Sequence, residues 1–190
     1  MLTDAFYVDP MKYDGRPVDS RQPEELACYR LLERLEIPFF RVDHAPAMTI
    51  ELCHEAEKVL GAKICKNLFL TNRQGTQFYL LLMPGDKPFK TKYLSAQLGC
   101  ARLSFAGEDA LLELLGLRPG SATVFGMMRQ SAKPVHLVID RSLLLEEIFA
   151  CHPCFNTSTV CFQTEQLLQK LLPAMEVVPT FVDLPEVFDE

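Results

Sequence analysis

Lys66-Asn67-Leu68-Phe69-Leu70-Thr71-Asn72-Arg73-Gln74-Gly75-Thr76-Gln77-Phe78-Tyr79-Leu80-Leu81-Leu82-Met83 is the stretch that sets the fold. Its two apolar runs, Asn67 to Thr71 and Gln77 to Met83, flank Asn72-Arg73-Gln74-Gly75, whose Asn and Gly suit a hairpin turn. The spacing therefore predicts two antiparallel strands. Downstream, Thr91 to Leu98 reads as a short helix, Arg102 to Phe105 as a short strand, and Glu108 to Leu115 as a helix closed by Gly116. Pro119-Gly120-Ser121 is a turn, after which Thr123 to Met128 and Val135 to Ile139 read as strands. Thr157 to Phe162 is a further strand, and Glu165 to Leu172 the last helix, with Thr164 as its cap.

Upstream of the hairpin, Pro23 to Leu35 carries Leu26, Tyr29, Leu31, Leu32 and Leu35 at near-helical spacing, with Glu24 and Glu25 in its first turn. Pro38 to Val42 is β-prone, and His44-Ala45-Pro46 breaks it before Thr49, the expected N-cap of a second helix running to Leu60 and ended by Gly61. Residues 1–22 read as an extended arm, and residues 173–190, acidic and Pro-spaced, as a tail that packs loosely or reaches a partner. Between them, 23–172 forms a single α/β domain of the α+β kind, a mixed, mostly antiparallel sheet with helices against it.

With 190 residues, 48 % of them apolar, the chain can bury one continuous core. No apolar run approaches the roughly 20 residues that span a bilayer. The opening Met1-Leu2-Thr3-Asp4 lacks the order of a signal peptide, so a cytoplasmic protein without membrane partners is expected. Six of the seven cysteines, Cys28, Cys53, Cys65, Cys100, Cys151 and Cys161, sit in or beside apolar runs, as buried free thiols do. That placement argues against a disulfide framework. The net charge of −6 is unevenly spread: Gly61 to Arg141 holds eleven basic and five acidic residues, a local +6 against −12 on the flanks. A basic middle in an acidic envelope suits local phosphate contact better than wrapping of a duplex.

Cys151-His152-Pro153-Cys154-Phe155-Asn156-Thr157 admits two chemistries. As C-x-x-C it suggests thiol redox work or half a zinc site; as His-Pro-x-x-Asn-Thr it offers polar groups to an ester. No second ligand pair accompanies the cysteines, which weighs against zinc, and the β-branched run after Asn156 denies Cys151 a helix N-terminus. No G-x-S-x-G is present, and Ser121 is a turn serine. Lys66, Arg102 and His152 each stand at the border of an apolar strand. If those strands were neighbours, the three would converge on a cleft for a small charged ligand.

Lys66-Asn67-Leu68-Phe69-Leu70, Arg102-Leu103-Ser104-Phe105-Ala106, Leu115-Gly116-Leu117-Arg118-Pro119-Gly120-Ser121-Ala122-Thr123 and His152-Pro153-x-x-Asn156-Thr157 resemble, in this order, the YbaK/prolyl-tRNA synthetase-associated editing family. The resemblance is closest to its freestanding prolyl-tRNA editing members. It implies a curled α/β sheet and a trans-editing aminoacyl-tRNA deacylase that removes a wrong amino acid, most often alanine with cysteine as competitor, from tRNA for proline. Such a second sieve is needed because missing methylenes change binding by only about 1–3 kcal/mol. By resemblance Lys66, Gly120 and His152 are catalytic, and Asn67, Arg102, Ser104, Ser121, Thr123, Asn156 and Thr157 bind substrate. The implied partners are the acceptor end of mischarged tRNA and prolyl-tRNA synthetase, with no metal and no cofactor. The resemblance also implies that water attacks the ester, assisted by the terminal ribose hydroxyl and backbone donors. One departure stands out: Val124 occupies the place of the proline that closes the family's Gly-x-x-x-Pro loop. Two other functions stay open, a non-catalytic aminoacyl-tRNA or synthetase binder and a thiol-disulfide protein using Cys151 and Cys154.

Overall fold

The computed structural model describes residues 7–47 and 50–187. Its elements are β1 (Tyr13–Asp14), α1 (Pro23–Arg34), β2 (Phe40–Asp43), α2 (Ile50–Leu60), β3 (Lys66–Thr71), β4 (Phe78–Met83), α3 (Thr91–Leu98), β5 (Ser104–Phe105), α4 (Glu108–Ala110), β6 (Val135–Asp140), β7 (Ile148–Cys151), β8 (Ser158–Gln163), α5 (Thr164–Gln166), α6 (Leu172–Ala174) and β9 (Thr180–Val182). The hairpin forms as its turn residues dictate. Asn72 Oδ1 accepts from the N–H groups of Thr76 (2.9 Å) and Gln77 (3.1 Å), while Gly75 takes a φ of 65° that other residues avoid. β3 and β4 then pair from Lys66↔Met83 to Thr71↔Phe78.

The strands make two sheets. One has order β1-β2-β8-β7, all antiparallel; the other has order β5-β3-β4-β6-β9, with β6 parallel to both β4 and β9. A parallel bridge between Ile64 and Ala150, with Cys65 N–H donating to Ala150 O at 2.9 Å, joins the sheets just before Lys66 and His152. The curled sheet expected from the sequence is thus two sheets meeting at one seam.

β4 lies between β3 and β6, so alternate side chains enter different cores. Leu80 and Leu82 join Tyr29, Leu32, Phe125, Phe149, Phe162 and Leu167 in the main core. Tyr79, Leu81 and Met83 pack with Leu70, Leu94, Val138, Val182 and Leu184 under α3. α4 continues into a π turn at Leu111–Leu115, ended by Gly116 at φ 66°, and α5 into another at Leu167–Leu171 before α6.

Three sequence expectations change. Thr123 to Met128 is not a strand: Val124–Met128 is a 3₁₀ helix, begun where Phe125 N–H meets Thr123 Oγ1 at 3.5 Å. A short apolar run carries no period that separates strand from buried helix, and here it plugs the main core. Thr164 is the first helical residue rather than the cap, because its hydroxyl donates to Glu146 O at 2.6 Å. The arm, extended as its composition suggests, does not hang free: β1 pairs with β2 and Val8 bridges to His44. Nor is the tail loose: β9 extends the sheet, Val182 and Leu184 are buried, and Gln97 bonds both the N–H (2.7 Å) and C=O (2.6 Å) of Asp183. The Thr49 cap lies outside the described residues.

Leu184→Ala therefore tests the docking of the tail. Urea unfolding should show a loss of about 2 kcal/mol, whereas a loosely packed tail would keep the change within about 0.5 kcal/mol.

Candidate active site

A cavity of about 430 Å³ opens beside the seam between the sheets. One wall is α2, through Cys53, His54 and Glu57; the others are Lys63 to Asn67, Gly85-Asp86, Gly120 with Ala122, and His152. Lys66 is the first residue of β3, and its ammonium donates to Lys87 O at 2.7 Å. Burial pulls its pKa below the usual lysine value, with Asp86 opposing. Lys63, by contrast, is paired with Asp86 at 2.8 Å. Asn67 donates from Nδ2 to Cys65 O at 3.3 Å, which fixes its amide orientation and leaves Oδ1 buried without a partner among the described residues. Lys66 and Asn67 thus bring a cation and a buried bare acceptor to the lining of the same cavity.

His152 follows β7 and is held from behind. Its Nδ1 lies 3.0 Å from Ser158 O and 3.4 Å from Thr159 Oγ1; since a carbonyl only accepts, the proton sits on Nδ1. The Thr159 hydroxyl also lies 2.9 Å from His44 Nε2, and His44 Nδ1 donates to Ala45 O at 2.8 Å. In this tautomer Nε2 of His152 is an acceptor at the cavity wall. Burial lowers the pKa of both rings, that of His152 to about 4, so His152 is neutral at pH 7. Beneath it, Ser158 Oγ donates to Asp43 at 2.6 Å, and Arg21 and Arg41 both pair with the same carboxylate. Burial alone would raise the Asp43 pKa, but the bonds from Ser158, Arg41 and Arg21 outweigh it and hold the carboxyl below its usual range.

Of the ten residues singled out by sequence, Lys66, Asn67, Gly120 and His152 share the cavity. Gly120 has a φ of 80°, a conformation its turn requires. Ser121 and Thr123 are buried beside the lining rather than in it. The loop they belong to is anchored by fully buried Val124 and Phe125, so packing supplies the restraint that a proline ring would. Asn156 and Thr157 act through their carbonyls, which accept from Ala47 N–H (2.8 Å) and His44 N–H (2.9 Å) and so fix the segment bearing the lining residue Ala47.

The expected convergence fails for Arg102. β5 pairs antiparallel with the far end of β3, Ser104 opposite Thr71, five residues from Lys66 and about 17 Å along the strand. Arg102 lines a separate depression with Phe89, Lys90, Lys92 and Phe105. Cys53, His54, Glu57, Lys63, Gly85 and Asp86 were not foreseen. On an amphipathic helix the pattern at 53, 54 and 57 looks like any solvated edge, so the sequence held no signal for them.

The cysteines read differently in three dimensions. All seven are free thiols, and Cys100 and Cys53 are only partly buried. Cys151 ends a strand and is completely buried, which raises its thiol pKa well above the ordinary value. Cys154 has its sulfur 3.4 Å from that of Cys28 on α1. Among the described residues no three His, Cys, Asp or Glu side chains group as metal ligands, and no helix is long and apolar enough to cross a membrane.

The buried neutral His152 makes stability pH-dependent. Its folded pKa, about 4, lies below the ordinary 6.5, so its contribution is complete above about pH 6.5 and fades as pH falls toward 4. The stability advantage of the parent over His152→Asn should shrink by about 2–3 kcal/mol between pH 7 and pH 4, read by urea unfolding. A constant difference would mean that the ring is already solvated.

The chain is 34 % identical over 143 residues to the prolyl-tRNA editing protein ProX of Acetoanaerobium sticklandii, covering 75 % of this chain and 87 % of that protein. It is 31 % identical over 157 residues to prolyl-tRNA synthetase associated domain-containing protein 1 of Danio rerio, covering 82 % and 83 % of the two. The fold matches a solved structure described as a candidate trans-editing enzyme for prolyl tRNA synthetase, with a TM-score of 0.64, 18 % identity and coverage of 87 % of this chain and all of the other. The family model of the aminoacyl-tRNA editing domain matches residues 44–170, which hold every group described at the cavity, and the chain belongs to that family.

Proposed function

We propose that this protein hydrolyses the aminoacyl ester of mischarged tRNA for proline, with alanyl-tRNA as its main substrate. The observation that carries the reading is the cavity itself. It gathers in one lining a lysine ammonium, bonded among the described residues to a carbonyl alone, and two neutral acceptors, Asn67 Oδ1 and His152 Nε2. Such a set can hold the phosphate or ribose of a terminal adenosine by its cation and the ammonium of an amino acid by its acceptors. The ProX relative, a prolyl-tRNA editing protein, supports the choice of tRNA.

Among the described residues, the two thiols of the lining are not activated as nucleophiles. Burial raises the thiol pKa of both Cys53 and Cys65, the latter to about 12, so each stays protonated. Water is then the attacking group, and the vicinal ribose hydroxyl of the substrate is placed to assist it. Lys66 orients the adenosine, His152 and Asn67 orient the amino acid, and the backbone around Gly120 receives the developing oxyanion. Each protein role is one of positioning, with no side chain transferring a group.

Lys66→Ala should fold normally and lose at least about 100-fold in kcat/KM on alanyl-tRNA for proline. Parental activity in that variant would sink the assignment. A panel of alanyl-, cysteinyl-, seryl- and prolyl-tRNA for proline sets the amino acid, and binding without turnover on all four would make the protein a binder. Activity should also fall steadily as salt rises, because the contact with phosphate releases counterions.

A further inference from the structure

What holds Lys66 lies outside the cavity lining. Its ammonium is fixed by the carbonyl of Lys87, in the loop after β4, and that loop is pinned at two points. At Gly85 the backbone packs so closely on Ile64 that a Cβ would stand 2.3 Å from the Ile64 carbonyl oxygen. At Lys87 the side chain is buried, and its ammonium meets Asp140 at 2.8 Å, Ser142 Oγ at 2.9 Å and Glu186 at 3.0 Å. Burial alone would lower the Lys87 pKa, but Asp140 and Glu186 outweigh it and keep the ammonium charged. Asp140, the last residue of β6, is in turn fixed by Ser142, whose N–H and hydroxyl both donate to its Oδ1.

Glu186 reaches this place because the tail is docked. β9 pairs with β6 so that Val182 lies opposite Asp140, and Gln97 holds Asp183 by both backbone groups. These tail residues lie beyond residue 170, where the match to the family model ends.

We infer that Lys87, held by Asp140 and by Glu186 of the C-terminal tail, is the positioning residue for Lys66, so that the tail braces the reactive end of the molecule. The inference rests on the reading of Lys66 as the catalytic lysine. A buried ammonium with three partners leaves its own carbonyl little freedom, and that carbonyl is what Lys66 binds. Remove one partner and Lys66 gains room to leave its post.

The test uses the full-length protein and the variants Asp140→Asn, Glu186→Gln and Gln97→Ala, with Glu186→Asp as the charge-keeping control. Lys66 accessibility is read by competitive acetylation with acetic anhydride and peptide mass spectrometry, and turnover by deacylation of alanyl-tRNA for proline. Asp140→Asn should acetylate Lys66 at least threefold faster and lose at least tenfold in kcat with KM within twofold. Glu186→Gln and Gln97→Ala change exposed groups, so they keep the test alive if Asp140→Asn fails to fold. They should show the same changes at about two- to threefold, and Glu186→Asp should return to parental values. Labelling of Lys66 at or below the parental rate in the folded variants overturns the inference, as does faster labelling with unchanged kcat. A parent inactive on alanyl-tRNA would remove the functional reading alone, and the labelling would still decide whether the brace holds Lys66.

Discussion

The bond from Cys65 N–H to Ala150 O is the constraint on which the rest of the molecule turns. One residue beyond it on the first chain segment is Lys66, and two residues beyond it on the second is His152. Without that seam the two sheets would be separate layers, and the cation and the imidazole would belong to different surfaces. A single parallel bridge therefore converts an antiparallel sheet and a mixed sheet into a cleft with opposite chemical character on its two sides. The cores behind each sheet, with Leu80 and Leu82 on one face of β4 and Leu81 and Met83 on the other, make that seam rigid.

Rigidity of this kind has an electrostatic cost, and the molecule meets it with buried networks rather than by exposing its charges. Asp43 gathers Arg21, Arg41 and Ser158 beneath His152; Lys87 gathers Asp140, Ser142 and Glu186 beneath Lys66. Lys66 and His152 thus each bond to a backbone carbonyl, that of Lys87 or of Ser158, whose own side chain belongs to one of these networks. The arm and the tail supply Arg21 and Glu186, so the two ends of the chain take part in the same architecture as the central strands.

How far the sequence revealed this differs by element. The hairpin around Asn72 to Gly75 was legible because turn chemistry and strand pattern agree there. The helices at Pro23, Thr91 and Glu108 were legible for the same reason. Val124 to Met128 was not, because five apolar residues without a period can be either strand or 3₁₀ plug. Lys66, Asn67, Gly120 and His152 were found through their likeness to a family, and the structure gathers them. Arg102 shared the same local look and lies elsewhere, since a border residue cannot say which end of its neighbour it will meet. The helical face at Cys53, His54 and Glu57 was invisible, as was the neutral state of His152, which depends on burial by residues far away in the chain.

The short strand β9 also closes an edge of its sheet. β6 is parallel-paired on one side by β4, and its other side would present an open row of peptide groups to any passing extended chain. Three residues, Thr180–Val182, occupy that row, and beyond them the sheet stops. The opposite edge ends in β5, only two residues long. Both margins are therefore short, which limits the row of unpaired peptide groups left at either edge of a sheet with a very apolar centre.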